Sequence, residues 1–175
     1  AKSHKDVKKT GADGQTSSLT VRDSFSGMIG AFSLQEHGML TCRRKLKHFA
    51  GIAAKDPDVV VKSDAAGDIT QAVADMGCHP EPSLANRWPH NTVHERGTST
   101  LKSVTRASTY QSGLPPPVWP PALVYASVAL AISQMAPILA HEKDAAGNPL
   151  PSCSKIGKTS WTVFHGSEFS GPLQP

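Results

Sequence analysis

Two carboxylates open the chemical reading of this sequence. Asp64 closes the apolar run "PDVVVKSD", residues 57 to 64, and Glu95 stands in "NRWPHNTVHER", residues 86 to 96. The first stretch predicts a strand buried on both faces, because a short continuous run of valines ends in a polar turn. The second predicts the loop and first turn of a long helix. A carboxylate from a strand tip and another from a helix can together hold Mg²⁺ or Mn²⁺, since small hard cations take one or two carboxylates, waters and phosphate oxygens. Paired ions of that kind carry out in-line displacement at phosphodiesters. A purely structural reading competes: Asp ends many strands as a turn residue, and Glu in a first helical turn meets the helix dipole favourably.

The histidines of the same stretch suggest other chemistry. His90 and His94 stand four apart and, with Cys78 or His79, could ligate zinc if they shared a helical face. Pro89 and Asn91 place the helix start after His90, which separates the pair. Trp88 and His90 then read as loop residues. Farther along the predicted helix, Glu95, Lys102 and Arg106 follow at i, i+7 and i+11 and so share one face. Those two cations suit a phosphate backbone, and a solvated basic face is the structural alternative.

Elements must hold these residues in place. "SSLTVRD", residues 17 to 23, and "MIGAFSL", residues 28 to 34, predict a hairpin across the turn sequence "SFSG". Met39, Leu40, Leu46, Phe49 and Ile52 recur at helical spacing between Arg43, Arg44, Lys45 and Lys47, which predicts an amphipathic helix with a basic outer face. After the valine strand, residues 65 to 77 predict a short helix stopped by Gly77. "CHPEPSL" predicts an extended edge segment because of its prolines. A long helix then runs from Thr92 to Gln111, and an apolar helix from Pro121 to Ala136. Together these form an α/β domain with a mixed sheet, in which sites gather where strands end.

Composition sets wider bounds. At 175 residues and 38% apolar, one domain with a sizeable core is expected. The net charge is +4, unevenly spread: residues 1 to 50 hold nine Lys/Arg against four Asp/Glu, and residues 51 to 100 hold four against seven. Three widely spaced cysteines, Cys42, Cys78 and Cys153, indicate neither a disulfide framework nor a zinc ribbon and fit an intracellular setting. Residues 107 to 140 carry no charge, but Pro137, Ser127, Ser133 and Gln134 interrupt them, so a buried helix is expected and no membrane partner.

In order along the chain, "VVVKSDAAGD", "GCHPEPS", "NRWPHNTVHERGTSTLKSVTRAS" and "SGLPPPVWPPALVYASVAL" resemble the catalytic core of retroviral and copia-type retrotransposon integrases. The resemblance implies an RNase H-like mixed sheet flanked by helices. It also implies three metal-binding acidic residues, Mg²⁺ or Mn²⁺ as cofactor, and DNA 3′-end processing and strand transfer. "SDAAGDI" is similar to the family's Asp-Asn-Gly-Gly-Glu-Phe motif and places the second acidic residue at Asp64, with Ala65, Ala66 and Asp68 as departures. "HNTVHER" is similar to Gln-Asn-Gly-x-x-Glu-Arg and places the third at Glu95, with Asn91 and Arg96 matching and Thr92 departing. DNA contacts are implied at Asn91, Arg96, Lys102 and Arg106, while Trp119, Leu123 and Tyr125 are expected to pack.

The resemblance divides the chain into a basic polar segment (1–16), a core (17–140) and a C-terminal extension of the core (141–175). No apolar strand precedes residue 16, and Asp6, Asp13 and Asp23 are poor candidates for the family's first acidic residue. That residue and its strand are therefore expected to lie upstream or to have been lost, leaving this chain inactive alone. The implied setting is DNA in the nucleus and homo-oligomers of the full-length protein. The alternative is a non-catalytic remnant that binds nucleic acid or protein.

Overall fold

A computed structural model describes residues 10–64, 66–83 and 92–171, without the side chains of Ile52, Ala53 and Thr92. The hairpin forms as expected, with β1 (Ser17–Arg22) antiparallel to β2 (Ile29–Leu34) and Leu19 opposite Phe32. The turn is fixed by Asp23, whose Oδ2 accepts from the Ser26 amide at 2.7 Å and the Ser26 hydroxyl at 2.5 Å. Asp23 is thus committed to the hairpin.

Period-two alternation gives β2 two apolar faces. Leu34, joined by the half-buried Phe32, meets Leu19, Cys42 and Leu46, with Val73 and Met76 behind them. These last come from helices α1 (Met39–Ala50) and α2 (Gly67–Met76). Gly77 ends α2 in the left-handed region, φ 83°, where a side chain would be strained. On the opposite face Ile29 and Ala31 meet Leu101, Leu123, Ala126 and Leu130. Those belong to α3 (Thr92–Gln111) and α4 (Trp119–Ser133). Helices therefore cover both sides of the hairpin.

By length and composition the stretch Pro116–Ser133 could cross a bilayer. Here one side of α4 packs on β2 and α3, with Leu123 buried and Trp119 partly buried. Tyr125 corrects the expectation of packing: it is 39% exposed on the other side.

The valine run forms β3 (Val60–Ser63), which pairs in parallel with β4 (His79–Pro82). The ladder passes through the His79 amide to the Val59 carbonyl and the Ser83 amide to the Ser63 carbonyl. His79, Glu81 and Ser83 accordingly turn their amides toward β3. Pro80 and Pro82 fall at the alternate positions, where no ladder donor is needed, so β4 is a proline-protected outer edge.

Two expectations change. In place of one mixed sheet, the described strands make two sheets of two strands, β1–β2 and β3–β4. And β3 is not buried on both faces: its residues alternate between exposed and half-buried, and Val60 is 55% exposed. Only the face that carries Val61 is covered by the core; Val60 and Lys62 on the other face are exposed, and among the described residues β3 pairs along one edge only.

Residues 141–171 fold back onto the same body. Lys155, 1% exposed, pairs with Glu142 at 2.7 Å and donates to the carbonyls of Phe25 (3.1 Å) and Pro137 (3.2 Å). The buried ammonium so joins the hairpin turn to the segment after α4. A short helix, α5 (Ser160–His165), is capped by the Thr159 hydroxyl and brings Phe164 to within 5.2 Å of Phe49 between ring centroids.

Candidate functional site

The first turns of α3 lie close against β1 because Gly97 has no side chain. A Cβ there would stand 3.1 Å from Arg22 Nη1 and 3.3 Å from Ile29 Cδ1. Arg22 uses the room to donate from Nη1 to the Val93 carbonyl, 3.0 Å away. Thr20, two residues back on the same face of β1, brings its hydroxyl within 3.4 Å of His94 Nε2 and 3.3 Å of the Thr98 hydroxyl. The end of β1 thus fixes the start of α3.

His94 is the centre of this junction. Burial, and next the Arg22 guanidinium, push its imidazole below the ordinary 6.5, while Asp64 and Glu95 both pull the other way. The ring is thereby neutral at neutral pH. Asp64 at the tip of β3 and Glu95 on α3 therefore act on one histidine from two different elements. Both carboxylates are exposed, so their charge needs no buried partner.

Asp64 and Glu95 are two oxygen-donor side chains, with a guanidinium beside their shared histidine. Among the described residues no three His, Cys, Asp or Glu side chains come together in a group able to hold a metal ion. The donors present do not make a complete Mg²⁺ or Mn²⁺ site, which needs further protein or substrate oxygens. Zinc fits no better: His94 Nε2 faces Thr20, and Cys78 is buried in the core against α2 and β3. His90 lies outside the described residues.

The predicted DNA contacts sort by helix geometry. Gly97, Leu101 and Thr105 form the buried stripe of α3, and Lys102 and Arg106 are exposed. Glu95, Ser99 and Lys102, with Thr20, His94 and Thr98, line one shallow depression. Arg96 is exposed but does not border it, nor does Arg106, one turn beyond Lys102. Asn91 lies outside the described residues. Arg22 and Thr20 were not singled out by sequence reasoning; the available signal was two polar residues alternating with Leu19 and Val21 on a half-buried strand.

No protein-family model matches this sequence, and no curated protein does. Its fold is similar to the catalytic core domain of BIV integrase, with TM-score 0.52 at 16% identity over 85% of each chain. It is also similar to a chain in the simian T-cell lymphotropic virus intasome in complex with PP2A regulatory subunit B56 gamma, with TM-score 0.56 at 18% identity. That match covers 90% of this chain and 51% of the other, so this chain spans about half the other's length. The integrase-core type of fold expected from the sequence motifs is found, with its described strands in two sheets.

Proposed function

We propose that this chain is an integrase-type core that engages DNA through the α3 surface and does not cleave it unaided. One observation carries the reading: Glu95 and Lys102 of α3 border one shallow depression with Thr20 and His94, on the face of an integrase-like core. The integrase-core fold supports it, since two integrase-type structures share this arrangement of elements.

In this reading the exposed Lys102 and Arg106 hold phosphates and so fix the position of a duplex without reading its sequence. Arg96 extends the contact toward the start of α3, and the sequence resemblance adds Asn91. Mg²⁺ or Mn²⁺, when bound, would supply charge stabilisation for phosphodiester displacement, and Asp64 and Glu95 would be its ligands. Two carboxylates are too few to retain it. Neutral His94 orients through Thr20 and keeps positive charge away from the carboxylates. A core with this surface would act on nuclear DNA as one component of a homo-oligomer.

Two measurements on the purified chain test this. Lys102→Glu should weaken binding of a short duplex and reduce the slope of log affinity against log salt by about 0.9, the share of one phosphate contact. An unchanged slope would remove Lys102 from the interface. Nicking of plasmid DNA with Mg²⁺ or Mn²⁺ should be absent; nicking that Asp64→Asn abolishes would refute the inactive reading.

A further inference from the structure

Among the described helices, α1 holds the largest imbalance of charge. Its twelve residues carry Arg43, Arg44, Lys45 and Lys47 and no Asp or Glu. Those four charges equal the net +4 of the whole chain, so everything outside α1 is balanced. In α3, by comparison, Arg96, Lys102 and Arg106 are set against Glu95.

Helix geometry gives the four cations different surroundings. Cys42 and Leu46 turn toward the hairpin and are buried with Leu19 and Leu34. Arg43 lies on one flank, paired with Asp75 of α2. Lys45 lies on the other flank, its ammonium 5.7 Å from the centre of the Phe32 ring. Arg44 and Lys47 are exposed on the side away from the core, at i and i+3, with the exposed His48 at i+4. Among the described residues the acidic partners go elsewhere: Asp75 to Arg43, Glu81 to Lys62 and Glu142 to Lys155.

This outer face works against the helix that carries it. Like charges three and four residues apart destabilise a helix, and Arg44 precedes Lys47 by three while Arg43 precedes it by four. Lys47 and His48, in the last turn, are favoured by the negative end of the helix dipole, an effect that fades within one turn and leaves Arg44 outside it. Packing on the hairpin and α2 uses only the opposite side and the Arg43 flank. A local rule broken without gain inside the fold is expected where a partner binds.

The chemistry of that partner follows from what the face contains. An acidic amphipathic helix would need a row of apolar anchors at helical spacing, and the outer face offers Leu40, 55% exposed, one turn ahead of Arg44. Arg44 and Lys47 stand about 4.5 Å apart along the axis at ~1.5 Å per residue. That is comparable with one step of a duplex strand, ~3.4 Å. The Arg44 guanidinium can take a phosphate with two parallel hydrogen bonds, and the Lys47 ammonium can take the next as a point charge.

We propose that the outer face of α1 is a second surface for double-stranded nucleic acid, with Arg44 and Lys47 on neighbouring phosphates of one strand. It holds the backbone and reads no base. It is separate from the α3 surface, because α1 packs on the Leu34 side of β2 and α3 on the Ile29 side, with the hairpin between them. The contact rests neither on the α3 reading nor on a metal bound by Asp64 and Glu95.

The test titrates the whole 175-residue chain into a short fluorescein-labelled duplex, with chelator present, at several salt concentrations, and follows anisotropy. Arg44→Glu with Lys47→Glu should weaken binding and lower the slope of log affinity against log salt by about 1.8, two contacts at ~0.9 each. Lys143→Glu with Lys158→Glu makes the same change of net charge at exposed positions and should leave the slope unaltered. With Lys102→Glu already in place the α1 pair should cause the same drop, so failure of the α3 contact leaves this one standing. Arg44→Glu alone puts a carboxylate ahead of Lys47 and His48 and should raise the thermal midpoint of the free chain while binding weakens. Should the α1 pair not fold, the unaltered chain is acetylated with and without duplex. Duplex should shield Lys47 more than Lys143 and Lys158, and poly-glutamate should not. An unchanged slope in the α1 pair, an equal drop in the Lys143 and Lys158 pair, or equal shielding of Lys47 by poly-glutamate would overturn the proposal.

Discussion

Leu101 decides where α3 lies, and with it Glu95 and Lys102. Its side chain is 0% exposed and is enclosed by Ile29 and Ala31 of β2 and by Leu123, Ala126 and Leu130 of α4. Leu101→Ala truncates it to a methyl group. At roughly 0.8 kcal/mol per buried carbon, the lost transfer energy is about 2.4 kcal/mol. The space left is walled by a strand and a helix, each held by its own backbone ladder, so it closes only in part. A residual cavity adds about 1–2 kcal/mol, giving a total of about 3.5–4.5 kcal/mol. That is a large part of a typical stability of about 5–15 kcal/mol. Urea unfolding followed by circular dichroism should show the loss as a lower midpoint with an unchanged slope. Val93→Ala, at a 57% exposed position of the same helix, should cost under about 0.5 kcal/mol. A Leu101→Ala loss below about 1.5 kcal/mol would refute the packing of α3 on β2 and the site built upon it.

Other perturbations read different parts of the fold. Gly30→Ala drives its Cβ into Phe49 Cδ2 and to 2.8 Å from Cε2, so about 1–3 kcal/mol should be lost in the same unfolding assay. Gly38→Ala, with φ 170° and open space around it, should be near neutral. Lys155→Met takes the ammonium from two carbonyls and from the Glu142 carboxylate, which keeps only the Leu139 amide, and should lower the thermal midpoint; adding Glu142→Gln should restore part of it. Burial pushes the Cys42 thiol above its ordinary 9.0, so folding favours the protonated form. That contribution is whole below pH 9 and is lost as pH rises through the folded value. At pH 8 an aromatic disulfide reagent should label the half-buried Cys153 first, and Cys42 only on unfolding.

Local order was largely written in the sequence. The long helix runs from Thr92 to Gln111 as its spacing predicts, Gly77 stops α2, and the hairpin and the proline-bearing edge fall where their turn and strand chemistry put them. Each of these rests on contacts or conformations within a few residues, which residue type alone can specify. The ordered motifs also carry the resemblance to the integrase-core fold.

Tertiary structure decided what distant residues do together. Sequence could nominate Asp64 and Glu95, but only folding brings both to bear on His94, with Arg22 and Thr20 arriving from a strand more than seventy residues earlier. The valine run shows the same limit from the other side. "VVV" fixes a strand by its β-branched side chains, but whether that strand is central or half-exposed depends on what pairs along its second edge. Hydrogen bonds across a sheet join segments whose separation no local pattern records. The described fold leaves that edge of β3 facing an apolar groove.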